Sequence, residues 1–372
     1  MRYQYFKIII SFFIILASCN TSKTRQTPET EPAPGTPETA VLADAGKAAS
    51  GETAGASPAA EPPVEAADPV AAAYPQSSFG EIWAYLIAGQ EETLKAAYPL
   101  SDIGYFGAEV DLYGKLTGVP NPQKIAFYKG RVHLVAACSG RALSHFVLEP
   151  ESAVRKQLVA DLLESSKTFD GLQIDFENIP GRDGDRFLSF LRELRNGLAD
   201  KRFTIALPAR TKTIANDVFD YKKILPLVDR ILVMAYDEHW STSAPGPIAS
   251  MGWCRNVAAY SLATIGKEKL IMGLPFYGRT WGNINPNRAF FHSGIQRIIA
   301  ENRITGIRRE HDIPTFQYET SVKITAYYED AHSLSKRLEM YRIMGVQSVG
   351  FWRLGQETPD VWNIARLTGQ AP

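Results

Sequence analysis

Cysteine is scarce in this sequence: three of 372 residues, at positions 19, 138 and 254. No CxxC spacing and no histidine-rich run is present, so no metal site or other cofactor is implied. An excess of one charge is also missing, since 40 Lys and Arg balance 40 Asp and Glu. A neutral chain leaves no electrostatic footprint for nucleic acid, and no nucleic-acid partner is expected. The apolar run at the N-terminus, IIISFFIILA, has 10 residues, too few to cross a bilayer as a helix. No Gly-rich phosphate loop follows the first strand-like run, which argues against a doubly wound nucleotide-binding sheet. The two downstream cysteines leave a disulfide and two buried thiols equally open.

A short basic start, MRYQYFK, precedes the apolar run, and LASC follows it. This arrangement fits a signal peptide over residues 1–19. LASC resembles a bacterial lipobox, with Cys19 lipidated and exposed as the new N-terminus; an ordinary secretory signal is the alternative. The expectation is an exported protein anchored to a bacterial membrane through lipid, on its periplasmic or outer side. Residues 20–76 are dominated by Ala, Pro, Glu, Thr and Gly, with Tyr74 the only aromatic. Such a segment cannot bury enough apolar surface to offset its ordering entropy, so it reads as a disordered tether. A coil of this length spans on the order of 40 Å.

The folded part is expected over 77–372. Strand-like runs begin at 81, 102, 131, 171, 203, 230, 269 and 346, most of them separated by helical periodicity, as at 151–168, 183–200 and 331–345. Eight alternating strands in this length predict an α/β fold, a closed (β/α)8 barrel, with an irregular insertion over 277–330 between strands seven and eight. A monomer is the default.

In such a barrel functional groups sit where the strands end. The fourth strand-like run, FDGLQIDFEN, places Gln173, Asp175 and Glu177 at alternate positions and hence on one face. Burying two carboxylates there is costly unless they ion-pair or do chemistry. Adjacent carboxylates raise one another's pKa, and a carboxylic acid still protonated near neutrality is what glycosidic cleavage needs. The sixth run ends in Tyr236, Asp237, Glu238, His239 and Trp240, the seventh in Tyr277 and Arg279, and the eighth in Trp352. Aromatic and polar groups together suit a sugar.

DGLQIDFE (170–177) resembles the DGxDxDxE motif of glycoside hydrolase family 18. MAYDEHW (234–240), GLPFYGR (273–279) and GFWRLG (350–355) are similar to that family's signatures on strands six, seven and eight. CSGR (138–141) is a weaker echo of its SxGG segment. The landmarks cover nearly all of 79–368 in the right order. MAYDEHW followed by PGPIAS is similar to the bacterial spore cortex-lytic N-acetylglucosaminidases, which act on peptidoglycan. One departure stands out: the middle acid of the motif is Gln173 here.

The resemblance implies substrate-assisted retaining hydrolysis. Glu177 would be the general acid. Asp175 would hold the substrate's 2-acetamido group, Tyr236 would orient it, and Asp237 would assist. Trp352 would floor the site, with Gln173, Glu238, Trp240 and Arg279 contributing to substrate binding. The implied partner is a glycan, either peptidoglycan or chitin oligomers. Gln173 motivates a further alternative, a glycan-binding lipoprotein without turnover.

Overall fold

A computed structural model describes residues 74–282, 288–319 and 323–369. Cys19, the signal segment and the tether as far as residue 73 lie outside them. Eight parallel strands form the centre: β1 (Glu81–Ile87), β2 (Asp102–Val110), β3 (Arg131–Cys138), β4 (Gly171–Phe176), β5 (Arg202–Pro208), β6 (Arg230–Met234), β7 (Leu270–Pro275) and β8 (Ser348–Trp352). Each pairs with its neighbour in sequence, and β8 pairs with both β7 and β1, which closes the (β/α)8 barrel. Closure removes free sheet edges.

The side-chain alternation of each strand separates two cores. On β1, Ile82, Ala84 and Leu86 join the layer between sheet and helices. Trp83 and Tyr85 point the other way, and with Phe106, Val135, Leu232 and Ile271 they fill the barrel itself. Outside, Phe176 stacks on Phe190 of the helix Gly184–Gly197, with ring centroids 5.4 Å apart. Ser152 and Ser250 cap the helices Ala153–Ser166 and Met251–Ile265 by accepting from backbone N–H groups. The connections after β1 and β2 contain single 3-10 turns, Glu91–Thr93 and Pro122–Ile125, in place of full helices. A short strand before the barrel, Ser77–Phe79, pairs in parallel with Ala365–Leu367.

The insertion lies where expected but is not irregular. Its five strands form an antiparallel sheet in the order 288–290, 278–282, 323–327, 313–319 and 308–310, with the helix His292–Glu301 alongside. Several of these strands are short and polar, so they carry little periodic signal.

The N-terminal end of the barrel is plugged by charge. The Glu81 carboxylate accepts from Arg202 at 2.9 Å, Arg230 at 3.1 Å, Arg131 at 3.4 Å and the Trp83 indole at 3.1 Å. Asp102 accepts from Arg131 at 2.7 Å and lies 2.8 Å from His133. Burial works against ionisation of both acids. The bonds from Arg202 and Arg230 to Glu81 outweigh it, as do those from His133 and Arg131 to Asp102, which is held at about 2. Both acids are therefore depressed in the fold, so their stabilisation is present above their ordinary pKa of about 4 and is lost as pH falls towards 2. Glu81→Gln is expected to cost roughly 2 kcal/mol, less than a fully buried pair because the guanidinium groups keep some water. Thermal melts at pH 7 and pH 3 check this. An unchanged Tm at pH 7 would mean that the plug contributes nothing.

Candidate active site

The opposite end of the barrel, where the strands finish, holds the predicted residues. On β4, Ile174 and Phe176 face outward into the helix layer. Gln173 and Asp175 face inward, 0% and 6% exposed. The Gln173 side chain is satisfied at both ends. Its oxygen accepts from the Tyr85 hydroxyl at 2.5 Å, and its nitrogen donates to the Thr204 hydroxyl at 3.1 Å. Asp175 receives no such help. Its Oδ1 is buried without a hydrogen-bond partner among the described residues. Burial pushes its pKa up to about 7.

Glu177 follows directly after the strand. Its backbone N–H donates to the Cys138 carbonyl at 3.1 Å, and its own carbonyl accepts from Ser144 Oγ at 3.3 Å. The main chain is thereby fixed, while the carboxyl has no hydrogen-bond partner among the described residues. Burial first, then the charges of Asp175 and Asp237, push its pKa up to about 9. Near neutral pH, Glu177 carries a proton.

β6 ends at Met234, earlier than the run MAYDEHW suggests, so the next residues leave the sheet. Asp237 adopts a left-handed backbone with φ of 57°, a conformation that Asp tolerates better than most residues. Its carboxylate accepts from Tyr277 at 2.5 Å and from Arg279 at 3.0 Å, both supplied by the chain leaving β7. Tyr236 is half-buried and meets Tyr277 edge to face at 6.4 Å. Burial, then the neighbouring Tyr85 and Asp175, hold its hydroxyl well above the usual tyrosine range, so it stays a donor. Gly273 makes room for it, because a Cβ there would stand 2.9 Å from the Tyr236 ring.

Trp352 ends β8, half-buried, with Tyr85 at 5.1 Å and Phe106 edge to face at 5.4 Å. Glu238 turns one oxygen to the backbone N–H of Ser250, at 2.7 Å. The Trp240 indole donates to Thr242, and its carbonyl accepts from the Trp281 indole at 3.1 Å. Glu238 and Trp240 thus brace the loop after β6, whereas Gln173, Asp175, Glu177, Tyr236, Asp237 and Trp352 gather at the mouth. Arg279 belongs with them through Asp237. Asp170 holds the backbone of β3 instead, accepting from Val132 N–H at 2.7 Å. Cys138 and Cys254 are buried free thiols.

Tyr85, Thr204 and Phe106 were not singled out from the sequence, and Tyr277 was named only as the end of the seventh run. The usable signal was their parity with strand neighbours that do face inward: Tyr85 with Trp83, and Thr204 opposite Gln173 in the β4–β5 register. A proton donor, a buried carboxylate and a phenol beside a half-buried indole can protonate a leaving oxygen and support developing positive charge.

Comparisons with known proteins bear on the fold and the family. The putative sporulation-specific glycosylase YdhD of Bacillus subtilis (strain 168) is 31% identical over 238 residues, 60% of this chain and 56% of the relative. The chain spans about half the length of the curated relatives it matches. The spore cortex-lytic enzyme SleL of Bacillus cereus superposes with a TM-score of 0.69 at 20% identity, covering 80% of this chain and 76% of that one. A chitinase from Chromobacterium violaceum gives 0.67 at 22% identity, covering 76% and 96%. At these identities the structural likeness speaks for the fold. The model of the family Glycosyl hydrolases family 18 matches residues 144–357, more than half of the 372, and the chain belongs to that family of glycosidases.

Proposed function

We propose that the protein cleaves the β-1,4 bond after N-acetylglucosamine in peptidoglycan or its fragments, by substrate-assisted retention. The observation that carries this is the buried, unpartnered oxygen of Asp175 beside the Glu177 carboxyl, whose pKa burial and the nearby Asp175 and Asp237 raise. An acceptor left empty in the protein is suited to a substrate N–H. Glu177 gives its proton to the leaving oxygen. The substrate's 2-acetamido oxygen attacks the anomeric carbon as that bond breaks, forming an oxazolinium ion. Asp175 accepts from the acetamido N–H and offsets the positive charge. Tyr236 donates to the acetamido oxygen and aims it. Water then opens the ring and returns a proton to Glu177. The carboxyl of Asp237, clamped by Tyr277 and Arg279, lies close enough to Glu177 to favour the protonated form of Glu177. Trp352 stacks under the sugar.

Peptidoglycan is favoured because the relatives include a sporulation glycosylase and enzymes named for lysing cortical fragments. Chitin oligomers are the second reading, since the sequence relatives also include a class V chitinase. Cys19 and the segment 20–76 complete the proposal as a lipid anchor and tether, holding the barrel at high effective concentration near the wall. Digests of purified sacculi and of N-acetylglucosamine oligomers, read by mass spectrometry, test it. New reducing N-acetylglucosamine ends from sacculi support the wall reading. Cleavage of the oligomers alone supports chitin. Binding without cleavage of either would favour the alternative raised by Gln173, a glycan-binding protein that does not turn over.

A further inference from the structure

A second concave surface lies beside the mouth, on the insertion. It is an open concavity of about 380 Å³, lined by Phe290, Phe291, Ser293 and Arg297 among others. Phe291 is 42% exposed, unusual for a phenylalanine. The Arg353 guanidinium sits over its ring, 5.3 Å from the centroid. Arg353 follows Trp352 directly and donates to Gln90 Oε1 in the loop after β1, so it bridges barrel and insertion at the rim.

Arg353 has no carboxylate within ion-pair distance among the described residues. Glu357 acts on it electrostatically but directs one carboxylate oxygen to the Tyr98 hydroxyl, at 3.4 Å. Burial lowers the pKa of Arg353 by more than the nearby Glu357 carboxylate raises it. Arg297 lines the same concave surface as Phe291; its side chain is 71% exposed and has only a loose 3.8 Å contact with Glu301. One guanidinium group, that of Arg353, therefore lies over an exposed aromatic ring, and a second, that of Arg297, lines the same concave surface as that ring. A neutral sugar chain needs the ring but not the two cations. A sugar chain bearing carboxylates needs both, because guanidinium binds carboxylate through parallel charge-assisted bonds.

We propose that Arg353, with Phe291 and Arg297, forms an accessory subsite for a carboxylate of an acidic glycan strand. This rests on the peptidoglycan reading above and adds a means of telling that substrate from neutral chitin. The carboxylate has two sources in a wall strand: the lactyl ether on alternate sugars, free when the peptide is absent, and the peptide stem itself.

The test compares the full chain with Arg353→Gln and Arg353→Lys on three substrates of matched length: strands stripped of peptide, strands carrying peptide, and neutral N-acetylglucosamine oligomers. Loss of one charge-assisted bond raises KM on an acidic strand by about tenfold to a hundredfold. The account expects that rise for Arg353→Gln, partial recovery in Arg353→Lys, little change in kcat, and unchanged constants on neutral oligomers. The acidic strand that shows the rise identifies the carboxylate. Equal losses on neutral and acidic substrates, or none on either, would overturn the proposal. If the wild type cleaves no wall strand, the peptidoglycan reading fails separately. The subsite is then judged by calorimetric titration of Glu177→Gln, with and without Arg353→Gln, using stripped strands. Weaker binding in the double variant sustains it, and equal binding refutes it.

Discussion

Glu177→Gln lowers kcat by roughly 10³-fold on any cleaved glycan, within the range a general acid supplies. The amide keeps the volume of the acid and can still donate a hydrogen bond, but it has no proton to transfer. The backbone anchors to Cys138 and Ser144 do not involve the side chain, so the loop is expected to keep its place. KM should therefore change little while kcat collapses, the pattern of an interaction made only in the transition state. Steady-state kinetics with a fluorogenic N-acetylglucosamine oligomer measure both. A variant retaining more than a tenth of wild-type kcat would remove Glu177 from the chemistry.

Asp175→Asn lowers kcat by roughly 10²-fold to 10³-fold, the cost of deleting one preorganised charge from a site with developing charge. Its pH profile is more specific than its rate. Burial raises both carboxyls, Asp175 to about 7 and Glu177, which the Asp175 charge raises further, to about 9, so the pair carries a single proton, held mainly by Glu177, between them. The wild-type kcat/KM should rise through the lower value and fall through the upper, both limbs belonging to the pair. In Asp175→Asn the acid limb disappears. The alkaline limb shifts to lower pH, because the Asp175 charge is one of the causes that raise Glu177. Stability should move the other way. A carboxyl whose folded pKa exceeds its unfolded value costs stability as pH rises past the unfolded value. Asp175→Asn should thus melt higher than wild type at pH 8. A profile that keeps its acid limb would show that another group sets it.

The eight strands were legible because each is a short apolar run bounded by polar turns. The carboxylates of β4 were legible because polar residues at alternate positions interrupt such a run. Tyr85 was harder to see. After Glu81, the rest of EIWAYLI reads as apolar or aromatic, since a barrel strand is buried on both faces, and nothing in the run says which face meets the substrate. The clamp on Asp237 was hidden for another reason: Tyr277 and Arg279 reach it across about forty residues of chain. The Glu81 plug draws its cations from β3, β5 and β6, a grouping that exists only once the barrel closes. The insertion sheet was missed because IPTFQYE buries its first four residues in a row and offers no clean alternation.

The central claim is that the substrate supplies its own nucleophile to a site built around Asp175, Glu177 and Tyr236. The most direct measurement compares two otherwise identical oligosaccharides, one with the 2-acetamido group on the sugar preceding the cleaved bond and one with a hydroxyl there. Substrate assistance predicts a fall in kcat/KM of at least about 10³-fold for the hydroxyl compound, as the intramolecular nucleophile and its orientation are lost together. Comparable rates for the two compounds would contradict the account.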